Sequence, residues 1–275
     1  MTAEKQKTIK PPFMTAGHSS DNAAAFFSWR APPHDAPSLS VVAPMMNEEG
    51  AVQSLVSEIS AALESVFHEI IIVDDGSTDG TLAALKKARA AHPQLRIIRH
   101  RRRAGQSRAI RTGVLAARAA IIATLDGDGQ NDPADIPALV AALHAEKETL
   151  IAMIAGERRE RRDSAVKKSS SLVANALRRR LLNDRAIDTG CGLKVFYREA
   201  YLRLPFFDHM HRYLPALMNR EGFGVAFLPV SHRPRLAGRS KYGVWVRLWV
   251  AIRDLMGVMW LKSRAKSPGD VREEP

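Results

Sequence analysis

Residues 121–133, IIATLDGDGQNDP, decide the fold of this chain. They begin with a continuous apolar run, which in a chain that alternates helical and extended patterns indicates a parallel strand buried on both faces. The run stops at Asp126, and Asp128 follows two residues later. If the backbone stays extended, both carboxylates leave on one side, roughly 6 to 7 Å apart. Two hard oxygen ligands at that spacing suit Mg²⁺ or Mn²⁺ together with a substrate diphosphate.

The residues around this acid pair support a ligand site. Gly127 and Gly129 leave room for a substrate to approach the backbone. Asp132 and Pro133 are typical of the N-cap and first turn of a helix. An Asp-Gly-Asp-Gly string can also be a simple acidic turn. Its place at the carboxyl end of a buried strand favours the ligand site, because open α/β sheets bind ligands there.

Strands and helices alternate along the first half of the chain. The pattern predicts a strand from Leu39 that Pro44 interrupts, and further strands at 69–73 and 95–99. An amphipathic helix follows each of them, the third at 106–118. Such alternation predicts an α/β protein with a doubly wound, mainly parallel sheet.

Acidic or amide side chains follow three of these strands: Asn47 and Glu48, Asp74 and Asp75, Asp126 and Asp128. The chain has neither GxGxxG after the first strand nor GxxxxGK[ST], so dinucleotide and P-loop sites lack their phosphate cradle. An acidic crevice repels a diphosphate unless a divalent cation lies between them. We expect Asp75 to accept hydrogen bonds from a base or ribose, and Thr78 and Asp79 to be turn and cap residues.

Composition limits the function further. The 275 residues allow one sizeable domain with appendages, and the net charge of +12 predicts anionic partners: phosphates, nucleic acid or an acidic membrane face. There is no clean run of 18 apolar residues, which argues against a transmembrane span. The N-terminus lacks the apolar centre of a signal peptide, and Cys191 is the only cysteine. Both features favour a reducing, cytoplasmic location.

Three segments together resemble glycosyltransferase family 2, in particular its polyprenyl-phosphate branch: Pro44-x-x-Asn47-Glu48, Asp74-Asp75-Gly76-Ser77-x-Asp79-Gly80-Thr81 and Asp126-Gly127-Asp128-x-Gln130-x-Asp132-Pro133. The resemblance covers about residues 38 to 245. It implies a GT-A fold and an inverting transfer of a sugar from a nucleotide sugar. It also implies metal ligands at Asp126 and Asp128, and nucleotide contacts from Pro44, Asn47, Glu48, Asp74, Asp75, Ser77, Asp126 and Gln130.

Two later segments resemble the same branch: DTGCGLKVF at 188–196 and HRPRLAGRSKYG at 232–243. In the first, Asp188 would face the reaction centre. In the second, Arg235, Ser240 and Lys241 would donate hydrogen bonds to the leaving diphosphate. A phosphate monoester is already an anion at pH 7, so we expect Asp188 to orient the acceptor or nearby cations rather than to act as a base. A hydroxyl acceptor would reverse this expectation.

Two further segments suggest a membrane surface. Residues 157–185 contain ten Lys or Arg and four Asp or Glu. In the segment 243–264, a helix would place on one face Trp245, Leu248, Trp249, Ile252, Met256, Met259 and Trp260. Peripheral attachment to an anionic membrane explains both. A solvated basic face and an ordinary core helix are the alternatives. Nucleic acid ranks lower, because stacking aromatics are not interleaved with the basic run.

The His209 and His211 pair has poor spacing for a metal and is expected to be structural or to line the substrate.

The sequence therefore predicts a disordered arm at 1–37, a GT-A domain at 38–242, an interfacial helix at 243–264 and a polar tail at 265–275. The predicted function is metal-dependent transfer of a sugar from a UDP- or GDP-linked donor to a polyprenyl phosphate, at the cytoplasmic face of the membrane. Two alternatives stay open. One is a glycosyltransferase that acts on a sugar or protein hydroxyl, and the other is a non-catalytic basic adaptor for membrane or nucleic acid.

Overall fold

The strands form one seven-stranded sheet. The computed structural model describes residues 35–146, 150–158, 180–182, 184, 186, 188–233 and 244–265, without the side chains of 244–248. The strands are β1 Leu39–Met45, β2 His68–Asp74, β3 Leu95–Arg99, β4 Ile121–Thr124, β5 Ile151–Arg158, β6 Lys194–Tyr197 and β7 Gly224–Val230. Most of the predicted arm, of the predicted tail and of the basic run lies outside the described residues.

The strand order is β3-β2-β1-β4-β6-β5-β7. Neighbouring strands run parallel except that β6 is antiparallel to both β4 and β5. This confirms the predicted α/β class with a mainly parallel, doubly wound sheet. The chain order reverses between β1 and β4, and such a switch point leaves a crevice at the carboxyl ends of the two strands.

The described part of the chain includes the α-helices α1 Val52–Ala62, α2 Thr81–Ala91, α3 Gln106–Ala116, α4 Ile136–Ala145, α5 Arg198–Arg203, α6 Leu214–Arg220 and α7 Val244–Ser263. Residues 180–182 are also helical. α1, α2 and α4 pack in the core on one face of the sheet, and α3, α5 and α6 pack in the core on the other. The predicted apolar stripe of α1 is confirmed, since Val52, Leu55, Val56 and Ile59 are all buried. The third predicted helix ends two residues early, at Ala116.

Pro44 does not interrupt β1, contrary to the prediction. The Val42 carbonyl accepts the Leu125 N–H at 3.3 Å on the β4 side, and the Met45 carbonyl accepts the Asp75 N–H at 2.8 Å on the β2 side. Alternate residues of a parallel strand bond to opposite neighbours, so the Pro44 nitrogen points toward β4. Pairing with β4 stops at Val42, so the missing N–H of Pro44 costs no ladder bond.

A buried carboxylate joins the strands at the amino end of the sheet. Glu69 in β2 is 1% exposed. It accepts hydrogen bonds from Ser40 Oγ at 2.7 Å, from the Arg118 N–H at 2.7 Å and from Arg96 Nη1 at 2.6 Å. Burial alone would raise the pKa of Glu69, but these hydrogen bonds and the Arg96 charge lower it. Glu69 thereby ties β1, β3 and the loop before β4 to β2.

The C-terminal helix α7 has two apolar sides. Val258 is buried, and Leu255 and Leu261 pack against the core shared with α3 and α6. The opposite side is exposed and carries Trp249, Ile252, Met256, Met259 and Trp260. The side chains of Trp245 and Leu248, which belong to the predicted interfacial face, lie outside the described part of the chain. Among the described helices, none combines the length and apolarity needed to cross a membrane.

Candidate functional site

Two loops at the carboxyl end of the sheet are joined by hydrogen bonds. Asn47 follows β1 and donates its N–H to Ser77 Oγ at 3.0 Å, while its Oδ1 accepts the Thr78 N–H at 2.8 Å. Asn47 has a positive φ of 58°, which asparagine tolerates better than most residues. The Glu48 N–H donates to Thr81 Oγ1 at 3.0 Å. Asn47 and Ser77, predicted as nucleotide contacts, therefore also hold the β1 and β2 loops against each other.

Asp74 forms the turn after β2. It has no exposed surface, its Oδ1 accepts the Ser77 N–H at 2.9 Å, and its Oδ2 lies 3.4 Å from Arg99 Nε. This leaves no surface for the nucleotide contact expected of Asp74. Thr81 donates two hydrogen bonds to Asp79 Oδ1, which confirms the turn role expected of Asp79, and Gly80 is the N-cap of α2.

Asp75 anchors a basic loop that the sequence interpretation did not connect to it. Its carboxylate is 4% exposed and accepts the N–H groups of Ala104 and Gly105 at 2.8 Å each. His100 Nδ1 lies 2.7 Å from the same carboxylate. A carboxylate has about four acceptor positions, so these three bonds leave one for a ligand. The loop carries three consecutive exposed arginines: Arg101, Arg102 and Arg103.

Asp126 and Asp128 lie in a turn, not on the extended backbone assumed for them, because β4 ends at Thr124. The Asp126 N–H donates to Asn131 Oδ1 at 2.9 Å, and Asp128 Oδ1 accepts the Gln130 N–H at 3.1 Å. The two carboxylates still interact. Burial and then the Asp128 charge raise the pKa of Asp126 to about 6.

Gly127 makes close contact with β1. A Cβ atom there would lie 2.5 Å from the Pro44 carbonyl oxygen, so the β1 backbone occupies the space expected for a substrate. Gly129 has a φ of 76°, which a glycine adopts without strain. The turn itself therefore requires both glycines. Pro44 lies next to the turn through its carbonyl oxygen.

The acid pair fits a divalent cation. The repulsion that helps to raise the pKa of Asp126 is relieved when a positive charge is shared between the two carboxylates. Over residues 35–146 and the other described segments, no group of three or more His, Cys, Asp or Glu side chains could hold a metal ion. Mg²⁺ is commonly held by one or two carboxylates together with substrate phosphates and waters. The residues at this turn match that donor set.

β6 and its preceding turn pass directly beside Asp126. A Cβ atom on Gly192 would lie 2.4 Å from Asp126 Cγ. Lys194, 4% exposed, donates from Nζ to the Cys191 carbonyl, and its charge acts to lower the pKa of Asp126. Gln106 Nε2 donates to Asp126 Oδ1 at 2.8 Å. The sequence interpretation missed Lys194 and Gln106, since both lie far from the motif along the chain.

Asp188 is paired with Arg158, the last residue of β5. Arg158 Nε lies 2.5 Å from Asp188 Oδ2, and its Nη2 lies 2.7 Å from Oδ1. Burial acts to raise the pKa of Asp188, but the Arg158 hydrogen bonds and charge lower it. A carboxylate with a lowered pKa is a weak base. The pairing supports the expectation that Asp188 orients a cation.

The segment after β7 returns to the acidic turn. Asn131 forms an isolated antiparallel bridge with His232, and the Arg233 N–H donates to the Gln130 carbonyl at 2.9 Å. Arg233 Nη2 lies 2.7 Å from Asp132 Oδ2. Arg235, Ser240 and Lys241 lie outside the described residues, so their assignment stays a prediction.

His209 and His211 hold neighbouring helices, as expected of structural residues. His211 Nδ1 lies 2.7 Å from Ser107 Oγ at the start of α3. Burial and the nearby Arg212 charge lower the pKa of His211 to about 3, so it is neutral at pH 7. His209 Nδ1 lies 3.0 Å from Asp254 Oδ2 and connects the segment to α7.

Comparison with known proteins identifies the family. The sequence profile described as glycosyl transferase family 2 matches residues 40–204. The chain belongs to glycosyltransferase family 2. A relative in Rhizobium johnstonii, dodecaprenyl-phosphate galacturonate synthase, is 37% identical over 84% of this glycosyltransferase and 69% of the relative. The undecaprenyl-phosphate 4-deoxy-4-formamido-L-arabinose transferase of Shewanella sediminis is 33% identical, over 74% and 62% respectively. The chain thus spans roughly two thirds of the length of these relatives.

Solved structures share the architecture. Glucosyl-3-phosphoglycerate synthase from Mycobacterium tuberculosis, in complex with Mn²⁺, UDP and glucosyl-3-phosphoglycerate, has a TM-score of 0.63 and 20% identity, covering 92% of this glycosyltransferase and 87% of that chain. A mannosyltransferase from Pyrobaculum calidifontis, in complex with GDP-Man and Mn²⁺, has a TM-score of 0.58 and 20% identity, covering 86% and 67%. These likenesses confirm the predicted GT-A-type fold.

Proposed function

We propose that this family 2 glycosyltransferase transfers a sugar from a nucleotide diphosphate sugar to a polyprenyl phosphate, with inversion at the anomeric carbon. The observation that carries the proposal is the Asp126 and Asp128 pair at the switch point of the sheet, beside the buried Lys194 and the half-buried Arg158. The two relatives named above act on polyprenyl phosphates by their names, which supports this acceptor class.

The donor would bind at the β1, β2 and β4 loops. Asp126 and Asp128 would hold Mg²⁺ or Mn²⁺, which supplies positive charge for the developing diphosphate leaving group. Gln106 keeps one oxygen of Asp126 oriented by a hydrogen bond at 2.8 Å. The nucleoside would lie against Glu48 and the free acceptor position of Asp75, next to the Pro44 carbonyl. Arg235, Ser240 and Lys241 would donate further hydrogen bonds to the diphosphate.

The acceptor phosphate would lie on the side of Arg158 and Asp188. One of its oxygens attacks the anomeric carbon, and the bond from that carbon to the diphosphate breaks, with the electron pair leaving on the nucleoside diphosphate. The attacking oxygen is already an anion, so the step needs no general base. Asp188 fixes the guanidinium plane of Arg158 through two hydrogen bonds and acts as a positioning residue.

The exposed face of α7 would lie on the cytoplasmic face of an anionic membrane. Trp249, Met256 and Trp260 are each more than 60% exposed, and Arg253 and Arg264 are exposed beside them. Exposed aromatic and aliphatic side chains flanked by arginine suit a helix that lies in the headgroup plane. Such attachment would bring the site to a lipid acceptor.

The experiment is a thermal-shift screen of UDP- and GDP-linked sugars with Mn²⁺, followed by a transfer assay with extracted polyprenyl phosphate. A donor at 100 times its dissociation constant is expected to stabilise the protein by about 2.7 kcal/mol. We expect a lipid-linked sugar and a nucleoside diphosphate in equal amounts. Transfer to soluble sugars instead of polyprenyl phosphate would refute the proposed acceptor. Salt-dependent RNA binding without any response to nucleotide sugars would indicate the adaptor alternative.

A further inference from the structure

One short turn contacts charged groups on two sides of the candidate site. This glycine turn comprises residues 188–192, with the sequence DTGCG, and leads into β6. A Cβ atom on Gly192 would lie 2.4 Å from Asp126 Cγ and 2.5 Å from each carboxylate oxygen. A Cβ atom on Gly190 would lie 3.1 Å from Arg158 Nη2. The two glycines therefore lie against different groups, one against a carboxylate and the other against a guanidinium.

The backbone of the glycine turn does not account for its glycines. Neither Gly190 nor Gly192 has a φ in the left-handed region, in contrast to Gly129 in the acidic turn. The positive φ that calls for glycine is thus absent at both positions. The missing Cβ atoms instead allow the close approach of the Asp126 carboxylate and of the Arg158 guanidinium.

Buried groups hold the glycine turn against the acidic turn. Asn131 is 2% exposed, its Oδ1 accepts the Asp126 N–H at 2.9 Å, and its Nδ2 lies 3.9 Å from Cys191 Sγ. Thr124 Oγ1, at the end of β4, donates to the Gly192 carbonyl at 2.9 Å. A buried polar group that loses its hydrogen-bond partner costs about 1 to 3 kcal/mol. When a Cβ atom is added at Gly192, the short Asp126 side chain therefore moves before the turn does.

We infer that the glycine turn positions the donor side and the acceptor side of the reaction relative to each other. Gly192 fixes the Asp126 carboxylate toward the divalent cation, and Gly190 fixes the Arg158 guanidinium toward the acceptor phosphate. The inference rests on the proposed function for the identity of both ligands. Because one turn contacts both groups, it sets the separation between the attacking phosphate and the leaving diphosphate, and a misplacement of about 1 Å costs on the order of 100-fold in rate. Both glycines are positioning residues, since each acts through a neighbouring side chain.

The first test adds one methyl group at Gly192 in the full chain. Gly192→Ala displaces the Asp126 carboxylate, so the dissociation constant of Mn²⁺ alone is expected to rise about tenfold in isothermal titration calorimetry. The dissociation constant of farnesyl phosphate, a short isoprenoid phosphate, is expected to stay within about twofold without any donor. Gly224→Ala is the matched control, because its Cβ atom would lie 2.9 Å from the uncharged Ile151 Cγ1. It is expected to lower Tm and to leave both dissociation constants within about twofold.

The second test makes the same change at Gly190. The contact there is 3.1 Å, so Arg158 moves only slightly, and the dissociation constant of farnesyl phosphate is expected to rise about threefold. The dissociation constant of Mn²⁺ is expected to stay within about twofold. Thr124→Val removes the hydrogen bond to the Gly192 carbonyl without adding a heavy atom, and it is expected to weaken Mn²⁺ binding about threefold. Where Gly192→Ala does not fold, Thr124→Val decides the Mn²⁺ measurement.

The two dissociation constants decide the inference. Unchanged Mn²⁺ affinity in Gly192→Ala, or unchanged farnesyl phosphate affinity in Gly190→Ala, overturns it. Equal weakening of both ligands by both glycine variants also overturns it, because the turn then only supports the fold. A selective loss of Mn²⁺ affinity in Gly192→Ala, in a chain that transfers no sugar to polyprenyl phosphate, keeps the role of Gly192 and refutes the proposed function.

Discussion

The two ends of the sheet use buried carboxylates in opposite ways. At the amino end, Glu69 accepts hydrogen bonds from Ser40, Arg96 and Arg118, and its pKa is lowered. At the carboxyl end, burial and Asp128 raise the pKa of Asp126 to about 6. A carboxylate whose neighbours are all donors stabilises a fold. Where one carboxylate raises the pKa of another, as Asp128 does for Asp126, a cation relieves the repulsion, and such a perturbed pair is typical of a functional site.

The largest difference between the two ends is expected in catalysis. Asp128→Asn removes a charge from the acid pair, and kcat/KM for sugar transfer is expected to fall about 1,000-fold, since charge stabilisation of the leaving group is lost. Steady-state transfer assays with saturating Mn²⁺ measure this. Glu69→Gln is the matched control, because it removes a buried charge from the other end and is expected to leave kcat/KM within twofold. Normal turnover by Asp128→Asn would exclude Asp128 from the metal site.

For stability the expected order is reversed, because Glu69→Gln is expected to change the free energy of unfolding more than a substitution in the acid pair does. Glu69→Gln removes a buried charged acceptor of hydrogen bonds from Ser40, Arg96 and Arg118 and is expected to lower the free energy of unfolding by about 2 kcal/mol. The folded pKa of Glu69 is lowered, so its contribution is present above about pH 4.3 and is lost as the pH falls through the folded value. Urea denaturation at pH 7 and pH 3.5 measures both effects. An unchanged midpoint at pH 7 would contradict the structural role of Glu69.

Cation binding is expected to depend on pH through Asp126. Its pKa is about 6, and a metal ligand must be ionised, so protons compete with Mn²⁺ below that value. The dissociation constant of Mn²⁺ is expected to rise about tenfold between pH 7 and pH 5. Isothermal titration calorimetry at a series of pH values checks this. A constant affinity across the range would show that Asp126 does not ligate the cation.

The smallest effect is expected in the metal-free protein. The folded chain binds a proton at Asp126 between about pH 4 and 6 that the unfolded chain has released, so the stability contribution of Asp126 falls as the pH rises through that window. Asp126→Asn is therefore expected to raise the free energy of unfolding at pH 7.5 by about 1 kcal/mol in the presence of EDTA. Chemical denaturation measures the difference. Destabilisation by this change would mean that Asp126, like Glu69, serves the fold.

The sequence was sufficient to predict features that lie within a single strand, helix or turn. The apolar stripe of α1, the strand at 95–99 and the Asp132 cap all follow from neighbours in sequence, and the structure confirms them. The prediction about Pro44 was wrong because its outcome depends on where β4 ends, which is not encoded in the residues around Pro44. Likewise, Asp75 was assigned to a ligand without the loop at 100–105 that it anchors.

The sequence by itself determined the α/β class, the place of the acid pair at the carboxyl end of β4 and the family motifs, because each depends on periodicity or on residues a few positions apart. Only the tertiary structure decided which distant side chains surround that pair. Gln106, Arg158 and Lys194 reach Asp126 and Asp188 from three different elements. Their contribution comes from through-space distance and burial, and these are set when the sheet assembles.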